Sequence, residues 1–196
     1  AGVRHLVKLS AIGCDIEPGI QLGRWHRAIE KHVEASGLPW TFLRPNNFME
    51  NFIGYYPPQA DGNIYLPFGD ASVSWIAARD IGAVAAVALT EDVSKHAGKA
   101  YTLTGSEALS VKQVAAQLST ATGRTINYVD VPEEGARNAM LAAQMPAWMV
   151  DAMMELHAID KAGYAAEVTP VVEQLLGRAP QKLADFAREN AAAWSK

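Results

Sequence analysis

The stretch from residue 22 to residue 45 constrains the fold more than any other, because it places a helix directly before a buried strand. Side chains of one face recur at helical spacing at Leu22, His26, Ile29 and Val33, and Gly37 is typical of the position just past a helix end. The run Trp40–Leu43 predicts a short buried strand that ends at the rigid Arg44-Pro45 step. In open α/β sheets, ligands bind at the carboxyl ends of strands. We therefore expect a ligand crevice at residues 46–48.

The order of the predicted elements favours an α/β fold with a doubly wound, Rossmann-like parallel sheet and a small helix-rich cap. Further strands are predicted at residues 6–9, 64–66, 73–76, 99–103 and 126–131. Helices are predicted after Asp80, which is expected to cap its helix, after Ser110, and through most of residues 133–194. We expect residues 1–100 to carry the sheet domain and residues 101–196 to form a mostly helical substrate or cap region interleaved with it.

Composition restricts the partners of the chain. Of its 196 residues, 49% are hydrophobic and 19% charged, and the net charge of -4 offers no general attraction to nucleic acid or anionic lipid. No apolar stretch is long enough to span a bilayer, and the single cysteine, Cys14, has no internal disulfide partner. We expect a cytoplasmic protein with a small-molecule substrate and without direct nucleic-acid or membrane contacts.

His26 and Glu30 lie one helical turn apart and form the candidate catalytic pair. A carboxylate at this spacing can orient an imidazole and keep it protonated near neutral pH. The alternative is a histidine packed between Leu22 and Ile29 beside an incidental surface glutamate, and the spacing leaves both open. The other histidines show no metal-ligand spacing with Cys, Asp or Glu, so no metal site is predicted.

Aromatic side chains are concentrated in the irregular chain after the expected crevice, at Phe48, Phe52, Tyr55, Tyr56, Phe68 and Trp75. Such a group suits an apolar pocket for a flat organic ligand, and core packing explains it equally well. We expect a substrate pocket beside Asn46 and Asn47 that is lined by Met49, Phe52, Tyr55, Phe68 and Trp75.

Several segments together resemble the NmrA-like family of atypical short-chain dehydrogenases/reductases. These segments are Val3–Gly13, Gly23–His26 with Glu30, Ser36–Pro45 with Asn47–Phe52, Arg79–Gly82, and Leu176–Arg178 with Asp185–Asn190. The resemblance implies a Rossmann-type domain that binds NADP or NAD. It also implies one of two kinds of activity, because the family has members that reduce quinones and others that sense dinucleotides without turning anything over.

The resemblance also assigns roles to individual positions. It places Leu22 where short-chain dehydrogenases carry a catalytic Tyr and His26 where they carry a Lys, so a tyrosine proton donor is missing while His26 can still hold the nicotinamide ribose. It implies that the nicotinamide end is lined by Ser10, Ala11, Ile12, Pro45, Asn46, Asn47 and Phe48. The family's Gly-rich phosphate loop lies near its N-terminus, and no such motif follows a strand here. We therefore expect the chain to be the C-terminal portion of such a protein, and to bind NADPH poorly by itself.

The sequence thus predicts an NAD(P)H-dependent reductase of the NmrA-like type that acts on a quinone-like or other conjugated carbonyl acceptor. Such an acceptor can take its proton from water, because its reduced form is a stabilised phenolate-like anion. The alternatives are a non-catalytic NAD(P)-sensing regulatory protein that acts through a protein partner, and a fragment without activity of its own. A homo-oligomer is also compatible with the sequence.

Overall fold

A computed structural model describes residues 2–194, in which strands and helices alternate before a helical end. The strands are β1 Leu6–Leu9, β2 Trp40–Pro45, β3 Asn63–Leu66, β4 Ser72–Val73, β5 Lys99–Leu103, β6 Leu109–Ser110 and β7 Asn127–Asp130. The α-helices are α1 Gln21–Ala35, α2 Asn51–Gly54, α3 Ala78–Thr90, α4 Val111–Thr122, α5 Glu133–Ala142, α6 Ala147–Lys161, α7 Val171–Leu176 and α8 Leu183–Glu189. Short 3-10 helices span Val93–Lys95 and Ala191–Trp194.

The main sheet is parallel, with the strand order β1-β2-β5. Side chains of β2 alternate between its two faces, as expected for a strand. Arg44 reaches Glu30 of α1, whereas Leu43 packs in a cluster with Ile81 of α3. The two helices therefore cover opposite faces of the sheet, and the predicted doubly wound α/β architecture is confirmed.

Two smaller sheets lie beyond the main one, with β3 parallel to β7 and β4 antiparallel to β6. Helix α4 packs against β7, β6 and α8. It begins after Ser110, as predicted, with a capping box in which Ser110 N donates to Gln113 Oε1 at 2.9 Å and Gln113 N donates to Ser110 Oγ at 3.3 Å. It ends at Gly123, whose φ of 70° suits a left-handed cap.

The larger hydrophobic core joins both halves of the chain, with Phe52, Phe68 and Trp75 packed among residues of α4 and α8. Strand β5, the third strand of the main sheet, spans residues on both sides of position 100. The division into regions 1–100 and 101–196 therefore remains a prediction, since the structure marks no boundary at that residue. Within residues 2–194, no helix is both long enough and apolar enough to cross a membrane.

The predicted capping role of Asp80 is wrong. Asp80 lies inside the first turn of α3 and is fully buried, where its Oδ2 accepts a hydrogen bond from Gln181 N at 2.7 Å. Its Oδ1 lies 2.7 Å from Nη2 of Arg178. The carboxylate therefore holds the segment before α8 against α3, a contact between residues about a hundred positions apart that local sequence cannot reveal.

Candidate functional site

A cavity of about 760 Å³ opens at the carboxyl ends of β1, β2 and β5. Its volume lies within the range of about 300–1,000 Å³ that is usual for small-molecule sites. The walls come from the segments that follow β1 and β2, from the first half of α1, and from the end of α6 with the loop after it. All eight residues predicted for the cofactor lie on this wall: Ser10, Ala11, Ile12, His26, Pro45, Asn46, Asn47 and Phe48. Their binding role stays a prediction.

Backbone hydrogen bonds between the strand ends fix the floor of the cavity. Ser10 N donates to Leu43 O at 2.6 Å, and Ile12 N donates to Pro45 O at 3.1 Å. Asn46 N donates to the carbonyl of Leu103, the last residue of β5, at 2.9 Å. The three strands therefore stay in register beyond their last sheet residues, so that the segments carrying the wall residues are held by paired backbone rather than by free loops.

Asn46 ties this floor to the far end of the chain. Its buried Nδ2 donates to Ser74 Oγ at 2.7 Å and to the carbonyl of Ala165 at 2.8 Å, while its Oδ1 accepts from Asn47 N at 2.8 Å. The carbonyl of Ala165 also accepts from Ser74 N at 2.9 Å. The side chain of Asn46 is thus saturated by the protein, which makes it a support of the cavity floor.

His26 lies on the cavity wall, but the predicted contact with Glu30 does not form. Its Nδ1 accepts a hydrogen bond from Lys8 Nζ at 3.0 Å. Burial, and then the positive charge of Lys8, lower the pKa of His26 below its ordinary value. The imidazole is therefore neutral near pH 7, and the prediction of a ring that Glu30 keeps protonated is wrong.

Glu30 faces the sheet instead of the cavity and is completely buried. Its carboxylate accepts hydrogen bonds from Ser10 Oγ at 2.6 Å, from Cys14 Sγ at 3.2 Å, and from Arg44 Nη2 at 2.7 Å and Nε at 3.1 Å. Burial opposes ionisation, yet the hydrogen bonds from Arg44, Ser10 and Cys14 outweigh it and hold the pKa of Glu30 at about 2. Glu30 is a permanent anion that anchors the strand ends, so the structure does not support its predicted catalytic role.

The predicted aromatic pocket is also wrong in most of its members. Tyr55 is the one residue of that set that lines the cavity, and Phe48 lies on the wall with it. The other four are at most 1% exposed in the larger hydrophobic core, namely Met49, Phe52, Phe68 and Trp75. The indole of Trp75 stacks on Phe68 and donates its Nε1–H to Leu109 O at 3.1 Å. These rings are buried because they pack against residues of elements that are distant in sequence. The clustering of aromatic residues in the sequence does not show these contacts.

Sequence reasoning missed the wall that comes from α6 and its following loop, which is formed by Leu156, Ile159, Asp160, Tyr164, Ala165 and Glu167. The most unusual member is Asp160, which is 1% exposed and accepts hydrogen bonds from Asn47 Nδ2 at 3.1 and 3.2 Å. Burial raises its pKa to about 7, although the Asn47 bonds oppose the shift. An aspartate one turn after Leu156, on the same helix face, is the signal that could have revealed it.

A parallel sheet with helices on both faces and a crevice at its strand ends defines the class of open α/β ligand-binding proteins. Residues 17–189 match the profile of the NmrA-like family. This match extends over most of the chain, which belongs to the NmrA-like family.

Individual relatives agree with this assignment. The NAD(P)H azoreductase of Xenophilus azovorans is 42% identical over 195 residues, an alignment that covers 99% of this chain and 68% of the relative. The (4-alkanoyl-5-oxo-2,5-dihydrofuran-3-yl)methyl phosphate reductase of Streptomyces griseus is 36% identical over 198 residues, covering 100% of this chain and 69% of the relative.

Among solved structures, the NADPH-dependent quinone oxidoreductase of Escherichia coli in complex with NADPH superposes with a TM-score of 0.84 at 25% identity. That superposition covers 96% of this chain and 66% of the other one. The chain thus spans about two thirds of the length of each of these three proteins.

Proposed function

We propose that this protein is an NAD(P)H-dependent reductase that passes a hydride to a quinone-like or other conjugated carbonyl acceptor. The observation that carries the proposal is the cavity at the strand ends, with all eight residues predicted for the cofactor on its wall. The relatives add support, because the names of the two reductases and of the quinone oxidoreductase describe reduction of azo, oxo-dihydrofuran and quinone compounds, which are conjugated acceptors.

The residues of the wall fit the nicotinamide end of a dinucleotide. Such sites are mostly apolar and carry a few fixed polar groups. Here Ile12, Pro45 and Phe48 supply apolar wall, and His26 supplies a neutral ring. Its Nδ1 is taken by Lys8, so Nε2, which has no hydrogen bond to another residue in the described part of the chain, is the nitrogen left for a ribose hydroxyl. When bound, the nicotinamide supplies the hydride.

A quinone-like acceptor suits this wall for two reasons. Phe48 and Tyr55 offer aromatic surface on which a flat conjugated ring can pack. In addition, Leu22 stands on the wall where the family resemblance expects a catalytic tyrosine. A reduced quinone is a stabilised anion that depends less on a strong positioned acid than a simple alkoxide does.

Steady-state oxidation of NADPH with a panel of quinones tests the proposal in the protein as it occurs naturally. Turnover with at least one quinone is expected. A protein that binds NADPH and oxidises it with no acceptor of the panel would instead be a dinucleotide sensor, and the reductase proposal would fail.

Replacing His26 by Ala should raise the KM for NADPH by roughly two- to twelvefold, because a hydrogen bond to the cofactor is worth roughly 0.5–1.5 kcal/mol. The matched control is His32→Ala, an exposed histidine on the same helix. We expect the melting temperature of both variants to change little. A large loss of stability in His26→Ala with unchanged NADPH kinetics would show that His26 serves packing alone.

A further inference from the structure

Asp160 is a buried titratable group of the cavity wall, and the proposed function has no task for it. It lies at the end of α6, in contact with the cavity, and is almost completely shielded from bulk solvent. In the described part of the chain, the hydrogen bonds to its carboxyl group come from the side-chain amide of Asn47 alone, and no Lys, Arg or His forms an ion pair with it. A buried carboxyl without a cation is held in its protonated form up to neutral pH.

The groups around Asp160 do not supply the missing positive charge. Burial lowers the pKa of its helix neighbour His157 to about 4, so that ring is neutral. His157 Nε2 and the hydroxyl of Tyr56 are 3.3 Å apart, and burial, followed by the negative charge of Asp160, raises the pKa of Tyr56. Two further wall residues, Tyr164 and Glu167, carry no positive charge. Lys161, the next residue in the chain, pairs with Glu133 at 3.2 Å instead. Burial accordingly raises the pKa of Asp160 to about 7.

Asn47 connects this carboxyl to the expected site of reaction. Its backbone follows β2 in the segment predicted to line the nicotinamide end, and its side-chain amide donates to both oxygens of Asp160, at 3.1 and 3.2 Å. An amide N–H can donate to a carboxyl group in either protonation state, because one oxygen always remains an acceptor. Asn47 is therefore suited to hold the carboxyl in place before and after it loses a proton.

We propose that Asp160 is a catalytic acid of the reductase, which donates its proton to the acceptor oxygen, and that Asn47 is its positioning residue. This inference rests on the proposed reductase function and replaces water as the immediate proton source. Hydride transfer oxidises NAD(P)H to NAD(P)⁺ and reduces a quinone to the hydroquinone monoanion. The O–H bond of Asp160 then breaks as the phenolic O–H bond forms. The carboxylate regains a proton from water, so each turnover consumes one acceptor, one NAD(P)H and one proton.

The test compares Asp160→Asn with Asp151→Asn in the protein as it occurs naturally. Asp151 is an exposed aspartate of the same helix, ion-paired with Arg137, and is the matched control. In the wild type, kcat for a quinone should fall about tenfold per pH unit above about pH 7, as Asp160 loses its proton. Asp160→Asn should lower kcat at least tenfold at about pH 6 and abolish this alkaline decline, while the KM for NADPH changes less than about twofold. Asp151→Asn should behave like the wild type.

A measurement without turnover complements the kinetics. Carbon-13 NMR of the aspartate carboxyls should show one signal that titrates near pH 7 and is lost in Asp160→Asn. The assignment is overturned if Asp160→Asn keeps its kcat within about threefold of the wild type together with the alkaline decline, or if the Asp160 signal titrates at an ordinary aspartate pKa. A wild-type protein that reduces no quinone would defeat the proposed function itself, whereas an active wild type with an unaffected variant defeats only the role of Asp160.

Discussion

At the scale of single residues, Glu30 supports the cavity floor although it does not line the cavity. It binds Ser10 and Arg44, and both lie at the ends of the strands that form the cavity floor. Arg44 Nη1 also lies 2.6 Å from Asp15 Oδ2, on the loop that forms part of the cavity wall. Removing one member of a buried ion pair is costly, because it leaves the other charge without compensation.

Replacing Glu30 by Gln should lower the free energy of unfolding by about 3 kcal/mol at neutral pH. The native pKa of about 2 lies below the unfolded value, so this stabilisation is complete above about pH 4.5 and disappears as the pH falls toward 2. Urea unfolding at several pH values measures it. The difference between wild type and variant should therefore shrink on acidification. A difference of equal size near pH 2 and pH 7 would contradict the assignment.

Glu133→Gln provides the matched control for that experiment. Glu133 is exposed, lies at the start of α5 and pairs with Lys161 at 3.2 Å, away from the residues that bind Glu30. Because surface ion pairs contribute about 1 kcal/mol or less, this variant should stay close to the wild type.

At the scale of elements, Gly105 allows the backbone after β5 to approach the backbone of Ser74 and Trp75 closely. A Cβ atom added at Gly105 would lie 1.9 Å from the carbonyl oxygen of Trp75. Gly105 N also donates to Ser74 O at 3.3 Å, and Ser74 in turn holds Asn46. The atom that an added Cβ would meet belongs to the backbone, so it cannot move away as the end of a flexible side chain could.

Replacing Gly105 by Ala should therefore lower the free energy of unfolding by about 3 kcal/mol or more. The matched control is Gly135→Ala in α5, where an added Cβ would meet nothing closer than Pro132 Cδ at 3.9 Å. That variant should gain about 0.5–1 kcal/mol, since a helix favours Ala over Gly. Thermal unfolding measures both, and a Gly105→Ala protein as stable as the wild type would refute the close approach.

The elements that sequence patterns predicted well are those with strong local signals. Helix α1 with its following Gly37, strand β2, and α4 between Ser110 and Gly123 all lie where spacing and capping placed them. The same local patterns could not show whether Phe68 and Trp75 face a core or a pocket, because that depends on α4 and α8. The local patterns also could not show that Glu30 pairs with Arg44 of β2 rather than with His26, which lies one helical turn away.

At the scale of the whole molecule, the cavity carries the residues that we propose for the nicotinamide end of a dinucleotide. In open α/β folds, the pyrophosphate is held by backbone N–H groups of a Gly-rich turn and by the positive end of the following helix. No such motif follows a strand in residues 1–196. The cavity wall itself offers no Lys or Arg within the described residues.

Residues 1–196 should therefore bind NADPH at least 100-fold more weakly than a longer chain in which a Gly-rich phosphate loop is also present. Two charge-assisted hydrogen bonds, at roughly 1.5–3 kcal/mol each, are enough for that difference. Calorimetric titration measures both affinities. Nicotinamide mononucleotide, which lacks the adenosine half, is the matched probe and should bind the two proteins alike. Low-micromolar NADPH binding by residues 1–196 would be incompatible with this prediction.

The hydrogen bond from Asn46 to Ala165 determines when, during synthesis of the chain, the cavity floor can form. It joins positions 119 residues apart, so the cavity floor is a contact of high sequence separation. While the chain emerges during synthesis, the sheet strands up to β5 are complete long before residue 165 appears. The cavity floor is therefore finished only after residue 165 has emerged and its carbonyl has met Asn46.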